Sequence, residues 1–359
     1  MTSWEVVHSA TVFIAEEMGV ALRRSALSPN IRERADYSCA VVDAEGRIVA
    51  QAEHIPVHLG SLRVGVRGIL EYLEREGVEL RDGDVIVSND PYITGTHLND
   101  VTLLSPVMHE GRLVAYVVNK AHHVDVGGPS FGSINPEAST IYDEGLILPP
   151  VKLVEGGVLR DDVLRIFLAN VKAPAVSEGD IKAQVAAERV GVARVKELIS
   201  RYGLRDVIDG WAASIEYARR LASSELASWP AGTYSARDRL EVGPGEDDVV
   251  EIGAEVSVSR GLVTVRFTDV PRQLQRPLNA VFGVTYAAST FAVRSLMKSE
   301  VPVNEGLYSV IDVYAPPGSM LNPSPPAPVS GGNLETSQRV VDVIPVSYTH
   351  LTLPTSDLV

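Results

Sequence analysis

Histidine and aspartate residues concentrate in one short region of the sequence. The segment DPYITGTHLNDVTLLSP covers residues 90–106, and NKAHHVDVGG covers residues 119–128. Within THLND, His97 and Asp100 stand three residues apart, so a tight turn would let both side chains converge on one point. Mixed imidazole and carboxylate ligation suits Zn, Mn, Fe, Co or Ni. The region is therefore a candidate for metal chemistry.

Two predicted strands would bring the halves of this region together. VTLLSPVMH and LVAYVVNKAHH have the composition of strands, and Glu110-Gly111 between them predicts a tight hairpin. The hairpin would return His122 and His123 to the start of the first strand. Adjacent strand residues point to opposite faces, so at most one of the two can meet His97 and Asp100. The alternative is that these histidines are hydrogen-bonded polar residues of a loop-rich core, but two glycine-flanked clusters joined by a hairpin favour a metal site.

Further carboxylates follow in the same part of the chain and could act as ligands, as orienting groups or as general bases. They are Asp125, Asp143 and Glu144. A second histidine pair, His54 and His58, has a spacing that binds metals on helices, but Pro56 between them argues against a regular helix at that point. We therefore favour a packing or substrate-pocket role for that pair. His109 at the predicted hairpin tip is expected to be solvated.

The elements that must position these residues alternate without the regular spacing of a doubly wound parallel fold. We predict α+β architecture, with mixed or antiparallel sheets, long helices and two subdomains. Helical patterns cover residues 4–25, 60–76 and about 279–298, two long helices at 178–228 break at Tyr202-Gly203, hairpin or strand patterns cover 37–52, 84–90 and the segments after Pro230, and 129–150 is loop-like. The proline- and glycine-rich stretch 314–333 predicts a linker or an extended surface loop.

This order predicts a division of the chain into regions. Residues 1–176 would form an N-terminal α+β region with the metal site, residues 177–229 a helical connector, and residues 230–344 a second α+β region. Residues 345–359 read PVSYTHLTLPTSDLV, and we predict that they form a separate, non-native tail.

Composition excludes several classes of protein. The 359-residue chain has a formal net charge of −14, which argues against a nucleic-acid-binding surface. Its N-terminus predicts an amphipathic helix, and no uncharged apolar run approaches the roughly 18 residues of a membrane span. The single cysteine, Cys39, excludes an intrachain disulfide, and we expect it to be a small buried residue of the strand YSCAVVD in a cytoplasmic protein. No GxxxxGK[ST] pattern occurs, so we do not expect this chain to bind ATP itself.

Several long motifs resemble one family. In order, they are IRERADYSCAVVDAEGRIVAQAEHIPVHLGS, SNDPYITGTHLNDVTLLSPV, KAHHVDVGGPSFGS, EGLILPPVKL and VSGGNLETSQRVVD. From about residue 3 to residue 343 the chain resembles the hydantoinase B/oxoprolinase family, which is the second subunit or C-terminal half of ATP-dependent N-methylhydantoinases and 5-oxoprolinases. The family is related to the large subunits of acetone and acetophenone carboxylases.

The resemblance implies a division of labour and a set of site residues. A hydantoinase A-type partner subunit would bind ATP and phosphorylate the substrate oxygen, while this chain would carry a divalent transition metal (Mn, Zn or Fe) in a hetero-oligomer. The implied metal ligands are Asp36, His97, Asp100 and His122, with His123 less favoured. Asp125 and Glu144 are the candidates for a general base or an orienting group.

Three functions remain open at this stage. The favoured one is an ATP-dependent cyclic-amide hydrolase acting on a hydantoin or 5-oxoproline. The others are a carboxylase subunit and a metal-free scaffold for the ATP-binding subunit. Family sequences continue after VSGGNLETSQRVVDVI, whereas residues 345–359 have no family counterpart, so we hypothesise a non-native tail and a missing C-terminal part. Resequencing the source locus tests this, and an uninterrupted reading frame ending at Val359 would contradict it.

Overall fold

The computed structural model describes residues 3–52, 54–245 and 248–349, without the side chains of residues 346–349. Within these residues the chain alternates helices and strands. The helices are α1 Trp4–Ser25, α2 Pro29–Arg32, α3 Pro56–Arg75, α4 Pro91–Thr94, α5 Asp161–Ala169, α6 Pro174–Tyr202, α7 Leu204–Leu226, α8 Phe282–Ser295, α9 Glu305–Tyr308 and α10 Glu335–Thr349. The strands are β1 Tyr37–Asp43, β2 Ile48–Gln51, β3 Val85–Ser88, β4 Asp100–His109, β5 Arg112–His122, β6 Val151–Glu155, β7 Val158–Leu159, β8 Gly232–Glu241, β9 Val249–Ser259, β10 Leu262–Asp269 and β11 Ile311–Tyr314.

The larger sheet has seven strands in the order β2-β1-β5-β4-β3-β6-β7, and all neighbouring strands are antiparallel. Its centre is the predicted β4–β5 hairpin, in which Asp100 lies opposite His122. Glu110 and Gly111 both have positive φ angles, as a tight turn matching the strand twist requires. The hairpin prediction is confirmed, and it places the two halves of the histidine-rich region side by side.

Both faces of this sheet are covered by helices, because alternate residues of its central strands are apolar on each side. On one face Ala40, Val42 and Val118 belong to a core that includes residues of α3. On the other face Cys39, Val41 and Val117 belong to a core shared with α1 and α6. Cys39 is buried in β1, as predicted.

The smaller sheet has four strands in the order β11-β10-β9-β8, with β10 and β11 parallel and the other neighbours antiparallel. Helix α10 packs against β8 and β9, and α8 packs against both α10 and α3. The predicted α+β class with mixed and antiparallel sheets is thus confirmed. The helix break at Tyr202-Gly203 is also confirmed, since α6 ends at Tyr202 and Gly203 has a φ of 86°.

Two local predictions were wrong. Helix α3 begins at Pro56, because a proline in the first helical turn lacks only an N–H that would be unpaired there anyway, so His58 lies on a helix after all. The stretch 314–333 is not a surface linker. Its apolar residues Ala315, Met320, Leu321 and Val329 are buried, and the Tyr92 hydroxyl donates to the Ala327 carbonyl at 2.6 Å.

The two long helices, α6 and α7, each contact several parts of the chain. Helix α6 packs on α1, β4 and β5, whereas α7 packs on α1 and α9. The division at residues 176 and 229 therefore stays a prediction. In the described part of the chain, no helix has both the length and the apolar character needed to cross a bilayer. Residues 345–349 belong to α10, and the rest of the predicted non-native tail, residues 350–359, lies outside the described residues.

Candidate metal site

His97, Asp100 and His122 point one atom each at a common centre, and we call them the His-Asp-His cluster. His97 Nε2 lies 3.2 Å from Asp100 Oδ1 and 3.1 Å from His122 Nδ1. The third side of the triangle, from His122 Nδ1 to Asp100 Oδ1, is 3.2 Å. His97 and Asp100 are buried, while His122 is partly accessible.

Local structure explains how the cluster is assembled. Asp100 begins β4 and His122 ends β5, so the antiparallel register puts them opposite each other. His97 stands in the turn between α4 and β4. Asp90 caps α4 by accepting from the Tyr92 amide at 3.0 Å, and Gly95 ends it in the left-handed conformation with a φ of 83°. Any residue with a side chain would be strained at this position.

A bound cation would explain the three short contacts of the cluster better than hydrogen bonds alone. If only one of the two facing nitrogens, His97 Nε2 or His122 Nδ1, carries a hydrogen, that hydrogen can serve only one of the three contacts. If both nitrogens carry one, the two hydrogens would collide across the 3.1 Å contact between the rings. No protonation state of the two rings therefore satisfies all three contacts. A shared cation does, and the ligand atoms of a first-row ion are about 3 Å apart. The donor set of two imidazoles and a carboxylate suits Zn, Mn or Fe.

Electrostatics within the cluster favours a buried negative charge. Although burial opposes ionisation, the charges of His97 and His58 and hydrogen bonds from histidine hold the pKa of Asp100 well below its usual range. Burial likewise opposes protonation of His97, but the adjacent Asp100 carboxylate raises the pKa of His97 above its ordinary value. The site is thus built to attract positive charge, whether a proton or a metal ion.

Asp36 and His58 stand next to the cluster. Asp36 Oδ2 lies 3.8 Å from His122 Nδ1, and the Asp36 carbonyl accepts from the His122 amide at 3.0 Å. His58 Nε2 lies 3.5 Å from Asp100 Oδ2, and neither ring nitrogen of this fully buried histidine has a hydrogen-bond partner among the described residues. Buried polar atoms are seldom left unpaired, so His58 is poised to orient the carboxylate of Asp100.

His123 is directed away from the cluster, as strand alternation requires. Its Nε2 pairs with Gln184 Oε1 at 2.8 Å, which ties β5 to α6 on the opposite face of the sheet. Burial lowers the pKa of His123, and the hydrogen bond from Nε2 to Gln184 Oε1 acts in the opposite direction. Of the two adjacent histidines, the structure brings only His122 to the cluster.

The two predicted catalytic carboxylates have different surroundings. Asp125 accepts hydrogen bonds from Gly127, Ser133, Lys172 and Ala173, and none of these partners belongs to the cluster. Burial opposes its ionisation, but these hydrogen bonds and the Lys172 charge lower its pKa. The arrangement organises the glycine-rich loop.

Glu144 differs, because one of its oxygens is unused. Oε1 accepts from the amides of Val329 and Ser330 at 2.8 and 2.9 Å, while the buried Oε2 has no hydrogen-bond partner in the described structure. Burial raises the pKa of Glu144, and the charge of His97 acts in the opposite direction. The segment held by Glu144 also delivers Asn333, whose Nδ2 lies 3.4 Å from Asp100 Oδ2. Asp143, the other carboxylate considered, caps the short 3-10 turn 141–143.

Sequence reasoning assigned no role to Lys120, which lies two residues before His122 on the same face of β5. Its fully buried Nζ donates to the Thr94 carbonyl at 2.8 Å and to Thr96 Oγ1 at 3.0 Å, just before His97. Burial lowers the pKa of Lys120 to about 8, opposed by the Asp100 charge. A lysine in the interior of a predicted strand, LVAYVVNKAHH, was the available signal. Asn333 and His58 belong to the motifs that resemble the family, but their approach to Asp100 depends on packing between distant parts of the chain.

Comparison with known proteins places this chain in a family. Residues 1–350 match the model of the family described as hydantoinase B/oxoprolinase. The chain is 46% identical over 340 residues to an uncharacterised protein of Methanocaldococcus jannaschii, covering 95% of this chain and 60% of that protein. It is 34% identical to caprolactamase subunit beta of Pseudomonas jessenii, covering 90% and 55%, and 34% identical to 5-oxoprolinase 1 of Arabidopsis thaliana, covering 93% and 28%.

Two solved structures are also similar to this chain. The ATP-dependent caprolactamase of Pseudomonas jessenii superposes with a TM-score of 0.90 at 32% identity, covering 97% of this chain and 59% of that one. Nucleotide-free acetone carboxylase has a TM-score of 0.85 at 18% identity, covering 92% and 45%, and this likeness shows the fold alone. The chain spans 60% or less of the relatives named here. With its family model matched from residue 1 to residue 350, the chain belongs to the hydantoinase B/oxoprolinase family.

Proposed function

We propose that this chain is the metal-bearing B-type part of an ATP-dependent enzyme that hydrolyses cyclic amides. The observation that carries the proposal is the triangle of imidazole and carboxylate atoms at 3.1–3.2 Å in the His-Asp-His cluster. Support for the substrate class comes from the relatives, which include a caprolactamase subunit and a 5-oxoprolinase. Hydantoins, 5-oxoproline and lactams are therefore the candidate substrates.

His97, Asp100 and His122 would hold the ion, and Asp36 is close enough to add a second carboxylate. When bound, a divalent Mn, Zn or Fe ion would supply Lewis acidity and make water nucleophilic near neutral pH. His122 and Asp36 are the partly accessible members, at 15% and 25% side-chain exposure, so substrate would approach from their side. His58 and Asn333 would fix the orientation of Asp100 from the buried side.

Glu144 is the better placed of the two candidate bases. Its Oε2 has no hydrogen-bond partner in the described structure, and a raised pKa brings a carboxylate closer to the value at which it exchanges protons at neutral pH. Asp125, with its pKa lowered and both oxygens engaged, would organise the loop instead.

A hydantoinase A-type partner subunit would supply ATP chemistry, since the sequence of this chain has no Walker-type loop. Phosphorylation of the amide oxygen there would weaken the resonance that protects an amide carbon from water. The proposed assembly is a hetero-oligomer, and the buried single Cys39 fits a reducing compartment such as the cytoplasm. The carboxylase alternative gains no specific support, because the likeness to acetone carboxylase shows the fold alone.

The test is the metal content of protein co-expressed with its A-type partner. We expect a stoichiometric first-row divalent metal in the wild type, measured by inductively coupled plasma mass spectrometry, and its loss in both His97→Ala and Asp100→Ala. The reason is that each variant removes one of the three proposed ligands. ATP-dependent opening of hydantoins, 5-oxoproline and lactams should disappear with the metal.

His109→Ala is the matched control, because His109 lies at the far end of β4 from Asp100. It should retain metal and turnover. A wild-type complex that forms without metal would contradict the metal-dependent function and would favour the scaffold reading.

A further inference from the structure

Lys120 lies near the middle of the larger sheet with its side chain fully buried. The strand register puts it directly opposite Thr102 of β4 and Ser38 of β1. Residues directly opposite each other share a face of the sheet, and this is the face that carries Asp100 and His122. Burying an ammonium group is costly unless its hydrogen bonds are satisfied, so the partners of Lys120 indicate what the residue does.

Both hydrogen-bond partners of Lys120 Nζ lie in the turn that leads to His97. Nζ donates to the Thr94 carbonyl at 2.8 Å and to Thr96 Oγ1 at 3.0 Å. Helix α4 is a single turn that ends at Thr94, and the last carbonyls of a helix have no partners within it. The ammonium therefore holds the end of α4 and the residue immediately before His97.

The residue after His97 is anchored as well. The fully buried side chain of Asn89 donates from Nδ2 to the Leu98 carbonyl at 2.9 Å. His97 thus stands between Thr96 and Leu98, which are both held by buried side chains. Of the two anchoring side chains, that of Lys120 comes from β5, a strand of the hairpin that carries the other two cluster residues. It ties the turn to the backbone that positions the rest of the His-Asp-His cluster.

We propose that Lys120 is a positioning residue for the metal: by holding Thr94 and Thr96, it fixes the turn that aims His97 Nε2 at the centre of the His-Asp-His cluster. This inference rests on the proposed metal-dependent function. Lys120 would act through His97, because an ammonium group has no lone pair with which to bind an ion. The β4–β5 ladder fixes Asp100 and His122 directly, whereas His97 depends on its turn.

Cobalt(II) titration of the chain co-expressed with its A-type partner tests this, because the visible spectrum of cobalt(II) reports the geometry of its ligands. Lys120→Met keeps the length of the side chain and removes the ammonium. We expect it to bind cobalt(II) about 10- to 100-fold more weakly than the wild type, with an altered spectrum, as when other groups that orient metal ligands are removed.

Lys152→Met is the matched control. Lys152 is another lysine of the larger sheet, and its ammonium pairs with Asp84 at 2.9 Å. It lies on β6, which β3 separates from β4. This variant should keep the affinity and the spectrum of the wild type, because it removes a sheet lysine that does not hold the turn before His97.

Thr96 offers a smaller change at the same contact. Valine has the shape of threonine without the hydroxyl, whereas serine retains the hydroxyl. Thr96→Val should weaken cobalt(II) binding by about tenfold, and Thr96→Ser should stay close to the wild type. In the Lys120→Met background, Thr96→Val should have little further effect, because the contact is already lost. This series decides the matter if Lys120→Met does not fold.

Hydrogen exchange of the metal-free protein separates this inference from the function on which it rests. Backbone amides of residues 95–98 should exchange faster in Lys120→Met than in the wild type or in Lys152→Met. A wild type that binds no cobalt(II) would contradict the metal-dependent function, while hydrogen exchange would still decide whether Lys120 holds the turn. Wild-type affinity and spectrum in Lys120→Met, or an unchanged exchange rate over residues 95–98, would overturn the inference.

Discussion

Glu188 has its carboxyl group buried against the larger sheet. Oε1 accepts from Asn119 Nδ2 at 2.6 Å, and Oε2 has no hydrogen-bond partner among the described residues. Asn119 also bonds to Gln184, which reaches His123, so a line of polar side chains runs between α6 and β5. Burial raises the pKa of Glu188 well above its ordinary value of 4.5, despite the hydrogen bond from Asn119. Folding therefore favours the protonated form of this carboxyl group.

Replacing this acid should change how stability depends on pH. Because the folded-state pKa is raised, the stability from the bound proton is fully present below pH 4.5 and is lost as pH rises through the folded-state value. Glutamine has no proton to lose. We expect the stability of Glu188→Gln relative to the wild type to increase by on the order of 1 kcal/mol as pH rises above 4.5, measured by urea unfolding. Glu197→Gln, on the exposed side of α6, is the control, and a pH-independent difference for Glu188→Gln would contradict the prediction.

At the scale of elements, α3 fits the site because glycines let it approach other backbone closely. A Cβ built on Gly65 would lie 2.3 Å from the Thr94 carbonyl oxygen, and one on Gly68 would lie 2.4 Å from that of Ile93. The Thr94 oxygen also accepts the Lys120 ammonium, in the turn that leads to His97. Close packing of α3 thus holds the backbone that positions a cluster residue.

Gly65→Ala should disturb this contact. Alanine favours a helix over glycine by about 1 kcal/mol, but the collision with Thr94 must be relieved by moving backbone. We expect a net loss of ~1–3 kcal/mol in the free energy of unfolding and weaker metal binding, measured by urea denaturation and by metal titration. Glu74→Ala, an exposed change on α3, should alter neither. An unchanged stability in Gly65→Ala would show that the turn carrying Thr94 yields without cost.

At the scale of the whole molecule, one ion-pair cluster joins parts of the chain 242 residues apart. Arg63 of α3 donates to Glu305 of α9 at 2.8–3.1 Å from two of its nitrogens, and its third reaches the Tyr286 hydroxyl at 3.1 Å. Arg67 adds a 2.7 Å contact to the same carboxylate, which is only 9% exposed. This ion-pair cluster ties the helix beside the candidate metal site to the part of the chain that carries the smaller sheet.

A double-mutant cycle measures this link. Arg63→Met and Glu305→Gln should each lower the free energy of unfolding by ~1–3 kcal/mol, because a largely buried charge loses its counterpart. The double variant should lose less than the sum of the two, since no unpaired charge remains from this pair. Arg75→Met, whose pairing with Glu76 is exposed, is the control. Strict additivity would mean that the pair contributes no coupling.

The sequence by itself determined the local features of this protein. The seven-residue strand β1, the hairpin between β4 and β5, and the break at Gly203 all follow from side-chain alternation and glycine conformations within a few residues. The pairing of His97 with Asp100, three residues apart, and their meeting with one histidine of the 122–123 pair also depend on a single turn and a single hairpin. Such contacts are predictable because the intervening chain is short.

Only the tertiary structure decided which further groups reach the cluster. Asn333 approaches Asp100 across 233 residues, and His58 arrives because Pro56 starts a helix that packs on that face of the sheet. The stretch 314–333 became a buried support of the site because its apolar residues found a surface to cover. Alternation along a strand separates His122 from His123 but does not say which face of the sheet holds the His-Asp-His cluster. That choice depends on which helices, far apart in the sequence, cover each face of the larger sheet.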